Sequence, residues 1–141
     1  MILSDTAILA AIDCGDIVVE PFDRDRLGTN SYDVGLGKNL ACYIDEVLDA
    51  RVHNHVERFE IAPEGIVLEP GKTYLGVTEE YTETRRYVAC LEWKYSEGRL
   101  GIDIHATAGK GDVGLCNHWT LGILCLIQIV SCRLTPRGGC R

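Results

Sequence analysis

A mainly β fold with one short N-terminal helix is predicted by three features of this 141-residue chain. Large aromatic residues are scarce, with two Phe and two Trp, so the core must be assembled from Val, Ile, Leu and Ala, and the β-branched members of that set favour strands. Fifteen glycines supply frequent turns. From Ile17 onward, brief β-rich runs alternate with clusters of Gly, Pro and Asn. With 46% hydrophobic residues, a single domain over residues 1–141 can bury a core, and neither linker nor internal repeat divides it.

The elements follow in order. Ser4 is placed to cap a helix whose apolar residues Ile8, Leu9, Ala11 and Ile12 recur at helical spacing, and Gly15 is placed to end it. The runs "VVEPF", "GTNSYDVGLG", "APEGIVLEPGKTYLGV" and "EEYTETRRYVACLEW" read as strands between turns. Their alternation is patchy, which predicts strands that are bulged or buried on both faces. "YIDEVLDARVHNHVERFE" mixes charge with Val and Leu, and suits either a hairpin or a loop carrying one strand. The apolar run Ile123 to Val130, interrupted by Gln128, has the length of a buried strand and is too short to span a bilayer. The tail "RLTPRGGCR" reads as a frayed end.

A formal charge of −7 and a pI near 5.0 argue against a nucleic-acid backbone or an anionic membrane as partner, because both need a basic face. A small anion can still bind locally. Seven cysteines, an odd number without regular spacing, follow an N-terminus with no signal-peptide pattern. Reduced thiols and a cytoplasmic location are therefore expected.

Several motifs fail on context. Gly109 to Gly114 matches G-x-G-x-x-G, but no helix start follows and no acidic residue lies beyond Asp112, so its glycines are read as turn residues. His55-Val56-Glu57 has the H-x-E form of zinc nucleobase deaminases without the P-C-x-x-C half. His53, His55, Cys116 and His118 are too scattered to predict a zinc site, and no G-x-S-x-G elbow is present. The stretch Lys94-Tyr95-Ser96-Glu97-Gly98-Arg99 differs, since two cations and a hydroxyl around a tight Gly turn can hold phosphate oxygens. The same spacing also suits a solvated edge.

Longer segments carry a resemblance. "MILSDTAILAAI", "VVEPFDRDRLGTNSYDVGLG", "LEPGKTYLGVTEE", "SEGRLGIDIHATAG" and "HWTL", in this order, resemble the deoxycytidine triphosphate (dCTP) deaminases, relatives of the trimeric dUTPases. The resemblance implies a distorted β-barrel or jelly roll of the β-clip type, assembled as a homotrimer with active sites between subunits. It implies hydrolysis of the C4 amino group of dCTP to dUTP and ammonia without zinc, with passage to dUMP in some members. Mg2+ would arrive with the triphosphate, and dUTP or dTTP are further candidate ligands.

Carried over by residue, the resemblance makes Lys94 the first cation, Ser96 a hydroxyl and Arg99 the closing, catalytic arginine of the turn, with Glu97 and Gly98 between them. Ala108 falls at a backbone position for water and the pyrimidine edge, with His105 packed beside it. Asp112 falls at an acidic position supporting the nucleotide, and Thr120-Leu121 precede the general-base position. Four departures stand out. Trp93 replaces a small Gly and must swing outward or displace strands, Tyr95 replaces a water-orienting Ser, Gly122 replaces the general-base Glu, and residues 122–141 no longer read like the family. Two alternatives follow from these: a homologue that only binds nucleotide, and a dUTPase-like pyrophosphatase using Asp112.

Overall fold

The computed structural model describes residues 1–104, 109–126, 132–134 and 139–140. The first element is α1 (Asp5–Asp13), where the Ser4 hydroxyl accepts from the Ala7 amide at 3.3 Å and Gly15 takes the positive φ that ends the helix. Its inward face carries Ile8 and Ala11. Strands β1 (Ile17–Glu20), β2 (Val34–Gly35), β3 (Asn39–Tyr43), β4 (Val56–Glu60), β5 (Ile66–Leu68) and β6 (Thr73–Thr84) follow. Then come a one-turn helix α2 (Tyr95–Gly98), β7 (Ile102–Ile104), β8 (Cys116–Cys125), β9 (Cys132–Leu134) and β10 (Gly139–Cys140). The mainly β reading with one N-terminal helix holds, with α2 as a single added turn.

The main sheet runs β4-β3-β6-β8-β7 in antiparallel order, with β1 paired to β6. Its inner face is apolar because successive residues alternate sides: Leu40, Tyr74, Leu121 and Ile123 are buried, while Ala41, Leu75, Val77, Thr120 and Gly122 face outward. Pairing fixes a row across four strands, Arg58 opposite Ala41, Ala41 opposite Leu75, and Leu75 opposite Gly122. At Gly76 a Cβ would lie 2.8 Å from Leu36 Cδ1, so glycine lets β6 approach the core that closely.

The central stretch is a hairpin. β3 and β4 pair along five residues, and the intervening loop is tied by Asp45, which accepts from the His55 amide at 2.7 Å and contacts His55 Nδ1 at 3.1 Å. Those bonds hold the Asp45 carboxyl below its ordinary pKa. The predicted bulge lies between Val77 and Tyr81, where β6 carries extra residues opposite Trp119. There Thr78 Oγ1 donates to the Glu80 carbonyl and accepts from the Trp119 amide, each at 2.9 Å. Glu80 is 1% exposed; its carboxylate pairs with the Arg26 guanidinium and accepts from the Gly35 amide at 2.8 Å. Burial alone would lower the Arg26 pKa, but Glu80 and Glu79 beside it raise it overall.

Two expectations change. Most strands are brief, as the runs suggested, but β6 with twelve residues and β8 with ten are longer, because mutual pairing rather than local turn residues sets their length. The tail is also paired: β10 joins β2, Gly139 opposite Gly35 and Cys140 opposite Val34, and β9 joins β5. Ile127 to Val130 lie outside the described residues.

Candidate active site

The Lys94–Arg99 stretch forms a helical turn. The Gly98 amide donates to the Lys94 carbonyl at 3.0 Å and the Arg99 amide to the Tyr95 carbonyl at 3.2 Å, and Gly101 at φ +68 turns the chain into β7. This leaves Tyr95, Ser96 and Arg99 exposed. Lys94 points the other way and meets Asp33 Oδ2 at 2.5 Å, linking the turn to the segment before β2. The Tyr95 ring lies against the Arg99 guanidinium, 4.1 Å from its carbon to the ring centroid. Tyr95 therefore occupies the arginine's face, not the core. The Glu97 side chain, His105 and Ala108 lie outside what the structure describes.

Trp93 resolves inward. It packs against the core, its indole Nε1 is buried without a hydrogen-bond partner, and with Gly98, Asp103, Lys110 and Leu126 it lines a cleft of about 610 Å³. Asp112 is exposed in the turn leading to β8, its carbonyl accepting from the Leu115 amide at 3.1 Å. The glycines around it do serve local shape: at Gly111 a Cβ would lie 2.6 Å from Trp119 Cη2.

On β8 the predicted pair divides. Thr120 faces outward into a cleft of about 790 Å³ shared with Asn39, Tyr43, His53, Arg58 and Val77. Leu121 is fully buried in the core, so only its backbone can serve a ligand. Gly122 again faces outward, and a Cβ there would meet nothing within 4 Å. The cleft beside the Lys94–Arg99 turn and the Thr120 cleft share no lining residue, so the two lie apart in one chain.

The scattered histidines have other duties. His55 is bound to Asp45, and His118 Nδ1 lies 3.1 Å from the Thr78 carbonyl with its ring edge against Tyr81. Among the described residues, no group of three or more His, Cys, Asp and Glu side chains is placed to hold a metal ion. No described helix is long and apolar enough to cross a membrane. Sequence reasoning missed the Asp33 partner of Lys94, which lies some sixty residues away in the chain; local spacing carries no signal for such a pair.

Comparison with known proteins bears on all of this. A family model described as dCTP deaminase-like matches residues 2–134, running past Gly122 into the segment where the family wording fades. A Clostridium botulinum protein named "dCTP deaminase, dUMP-forming" is 49% identical over 129 residues, covering 92% of this chain and 74% of its own length. Proteins of the same name from Clostridium acetobutylicum and Leptospira biflexa are 52% identical over 114 residues and 46% identical over 123. The acetobutylicum match covers 81% of this chain and 66% of the relative, and the Leptospira match 87% and 70%. In structure, the 2'-deoxycytidine 5'-triphosphate deaminase from Agrobacterium tumefaciens superposes with a TM-score of 0.68 at 22% identity. That superposition covers 99% of this chain but 46% of the other, so this chain spans just under half the solved protein's length while sharing its fold. The chain belongs to the dCTP deaminase-like family.

Proposed function

We propose that this chain binds magnesium-bound dCTP and hydrolyses the C4 amino group of its base, with loss of pyrophosphate leading to dUMP as the names of its relatives state for them. Water adds at C4, one of its protons passes to ring N3 and the other to the amine, the C4–N bond breaks to release ammonia, and a C4 carbonyl remains; a second water then cleaves the α–β phosphoanhydride to release pyrophosphate. The observation that carries the assignment is the turn Tyr95–Gly98, which leaves Ser96 and Arg99 exposed while Lys94 ties the turn to Asp33. The Ser96 hydroxyl and the Arg99 guanidinium receive triphosphate oxygens, the latter through charge-assisted hydrogen bonds. Thr120, facing out of β8, meets the pyrimidine edge, and exposed Asp112 supports the nucleotide and its magnesium.

The two halves of the site are completed by a second copy. A homotrimer with intersubunit sites accounts for the turn and the Thr120 cleft lying apart in one chain. A cytoplasmic setting is part of the proposal, supported by Cys14, Cys42, Cys90 and Cys116 standing outside any disulfide.

Gly122 leaves the general-base position without a proton acceptor, and the expected turnover is about 10²–10⁴-fold below that of a chain with a carboxylate there. The same residue favours a second reading, nucleotide binding without turnover. Titration calorimetry with magnesium-dCTP, paired with chromatography of the nucleotides and an ammonia assay, separates the two. Binding with dUMP or dUTP and ammonia supports the deaminase. Binding alone supports the second reading. Consumption of dUTP while dCTP survives, or no binding of either, refutes both.

A further inference from the structure

The two cations of the Lys94–Arg99 turn are held differently. Lys94 is half-buried and meets Asp33 Oδ2 at 2.5 Å, which commits its charge to the segment before β2. Arg99 is exposed, and among the described side chains no carboxylate pairs with it. What it touches is a ring: its guanidinium carbon lies over Tyr95, 4.1 Å from the centroid. The backbone makes this contact possible. The Arg99 amide donates to the Tyr95 carbonyl at 3.2 Å, so the two residues sit four positions apart on one helical face, where side chains meet.

Tyr95 is 76% exposed, so its ring adds little to the core and serves the arginine instead. The shapes of the two groups decide what this does for a ligand. A guanidinium carries its N–H donors in its own plane, so a ring against its face leaves them directed outward, whereas a carboxylate would have engaged them. A surface arginine otherwise samples many rotamers, and ordering them opposes binding. Tyrosine is a stiff support with few torsions of its own.

We propose that Tyr95 is a positioning residue whose ring holds the Arg99 guanidinium ready for the triphosphate, an inference that rests on this turn being the phosphate site. Tyr95 stands where the family resemblance puts a water-orienting Ser, so the chain gives up a compact hydroxyl and gains a platform for its arginine. An exposed cation–π contact favours the stacked pose by about two- to fivefold over unstacked ones. Apparent affinity scales with the populated fraction of the binding-competent state, so removing the ring should weaken magnesium-dCTP by about the same factor.

Calorimetry with magnesium-dCTP on the full chain tests this, comparing wild type with Tyr95→Ala, Tyr95→Ser, Tyr95→Phe, Arg99→Ala and the double variant Tyr95→Ala/Arg99→Ala. Tyr95→Ala and Tyr95→Ser should each lose about two- to fivefold, and Tyr95→Phe should keep wild-type affinity, since the ring face and not the hydroxyl holds the cation. In the Arg99→Ala background, removing the ring should change nothing, because a positioning residue acts only through the group it holds. In the ligand-free chain, the ring current should move the Arg99 δ-methylene proton resonances upfield, and Tyr95→Ala should return them. Wild-type affinity in Tyr95→Ala, with Arg99→Ala impaired, overturns the proposal and leaves the phosphate site standing. No binding by the wild type, or unimpaired binding by Arg99→Ala, overturns both. A loss in Tyr95→Phe as large as in Tyr95→Ala, a loss on removing the ring that persists without Arg99, or unshifted δ-methylene resonances also overturns the proposal.

Discussion

Gly122→Glu is the substitution on which the proposed chemistry turns. Position 122 is on the outward face of β8, opposite Leu75, and a Cβ added there meets no atom within 4 Å, so the side chain enters without displacing the core. Glycine inside a strand is unfavourable by about 0.5–1 kcal/mol against alanine, so the variant should melt at the wild-type temperature or slightly above. Along the row crossing the sheet, Arg58 is three strands away, roughly 14 Å at the usual strand spacing. At that range two charges in water interact by about 0.3 kcal/mol, leaving the new carboxylate ionised near neutral pH. Gaining a general base then raises turnover of magnesium-dCTP by about 10²–10⁴-fold, or roughly 3–5 kcal/mol of barrier at 1.36 kcal/mol per decade. Steady-state ammonia release, compared between Gly122→Glu and the isosteric Gly122→Gln, isolates the proton acceptor from the added bulk. Equal rates for the two would refute the assignment of position 122, as would a melting temperature several degrees below that of the wild type.

Arg99→Ala should weaken magnesium-dCTP about 10- to 100-fold by calorimetry, as expected for losing hydrogen bonds to a charged group, with the melting temperature unmoved because the side chain is exposed. Glu80→Gln should destabilise the fold by about 3 kcal/mol, the low end for breaking a buried pair because Arg26 is one-third exposed; thermal melting would register this as a drop of many degrees. The pH dependence of the β3–β4 loop follows from Asp45. Its folded pKa is depressed by the His55 bonds, so its contribution is complete above the unfolded value near 3.9 and is lost as pH falls through the folded value. Exchange of the His55 amide should accelerate in that acid window, and Asp45→Asn should abolish the transition.

The sequence made some of this legible because the relevant forces are local. A serine four residues from the start, apolar residues at helical spacing and a glycine beyond them define α1 without help from the rest of the chain. The cations of the Lys94–Arg99 turn were readable for the same reason, and the outward Thr120 against the inward Leu121 follows from strand alternation once the strand is known. Partners distant in the chain were not legible. Nothing near Glu80 in the sequence announces that Arg26 and the Gly35 amide will neutralise it, and without them two adjacent glutamates read as an exposed edge. The direction of Trp93 was open for a related reason: whether an indole turns inward depends on the space left between β7 and the 109–110 segment, which only assembly defines. The tail looked terminal because Gly and Arg are poor strand formers, yet β2 offers it an unpaired edge.

That last pairing has a consequence for synthesis. Gly35 leaves the ribosome 104 residues ahead of its partner Gly139, so the edge of β2 stays open while all of that chain is made. Contacts of such long separation close slowly. A nascent chain stalled before β9 would carry two uncapped edges, at β2 and β5, and would be a target for chaperones until elongation resumes.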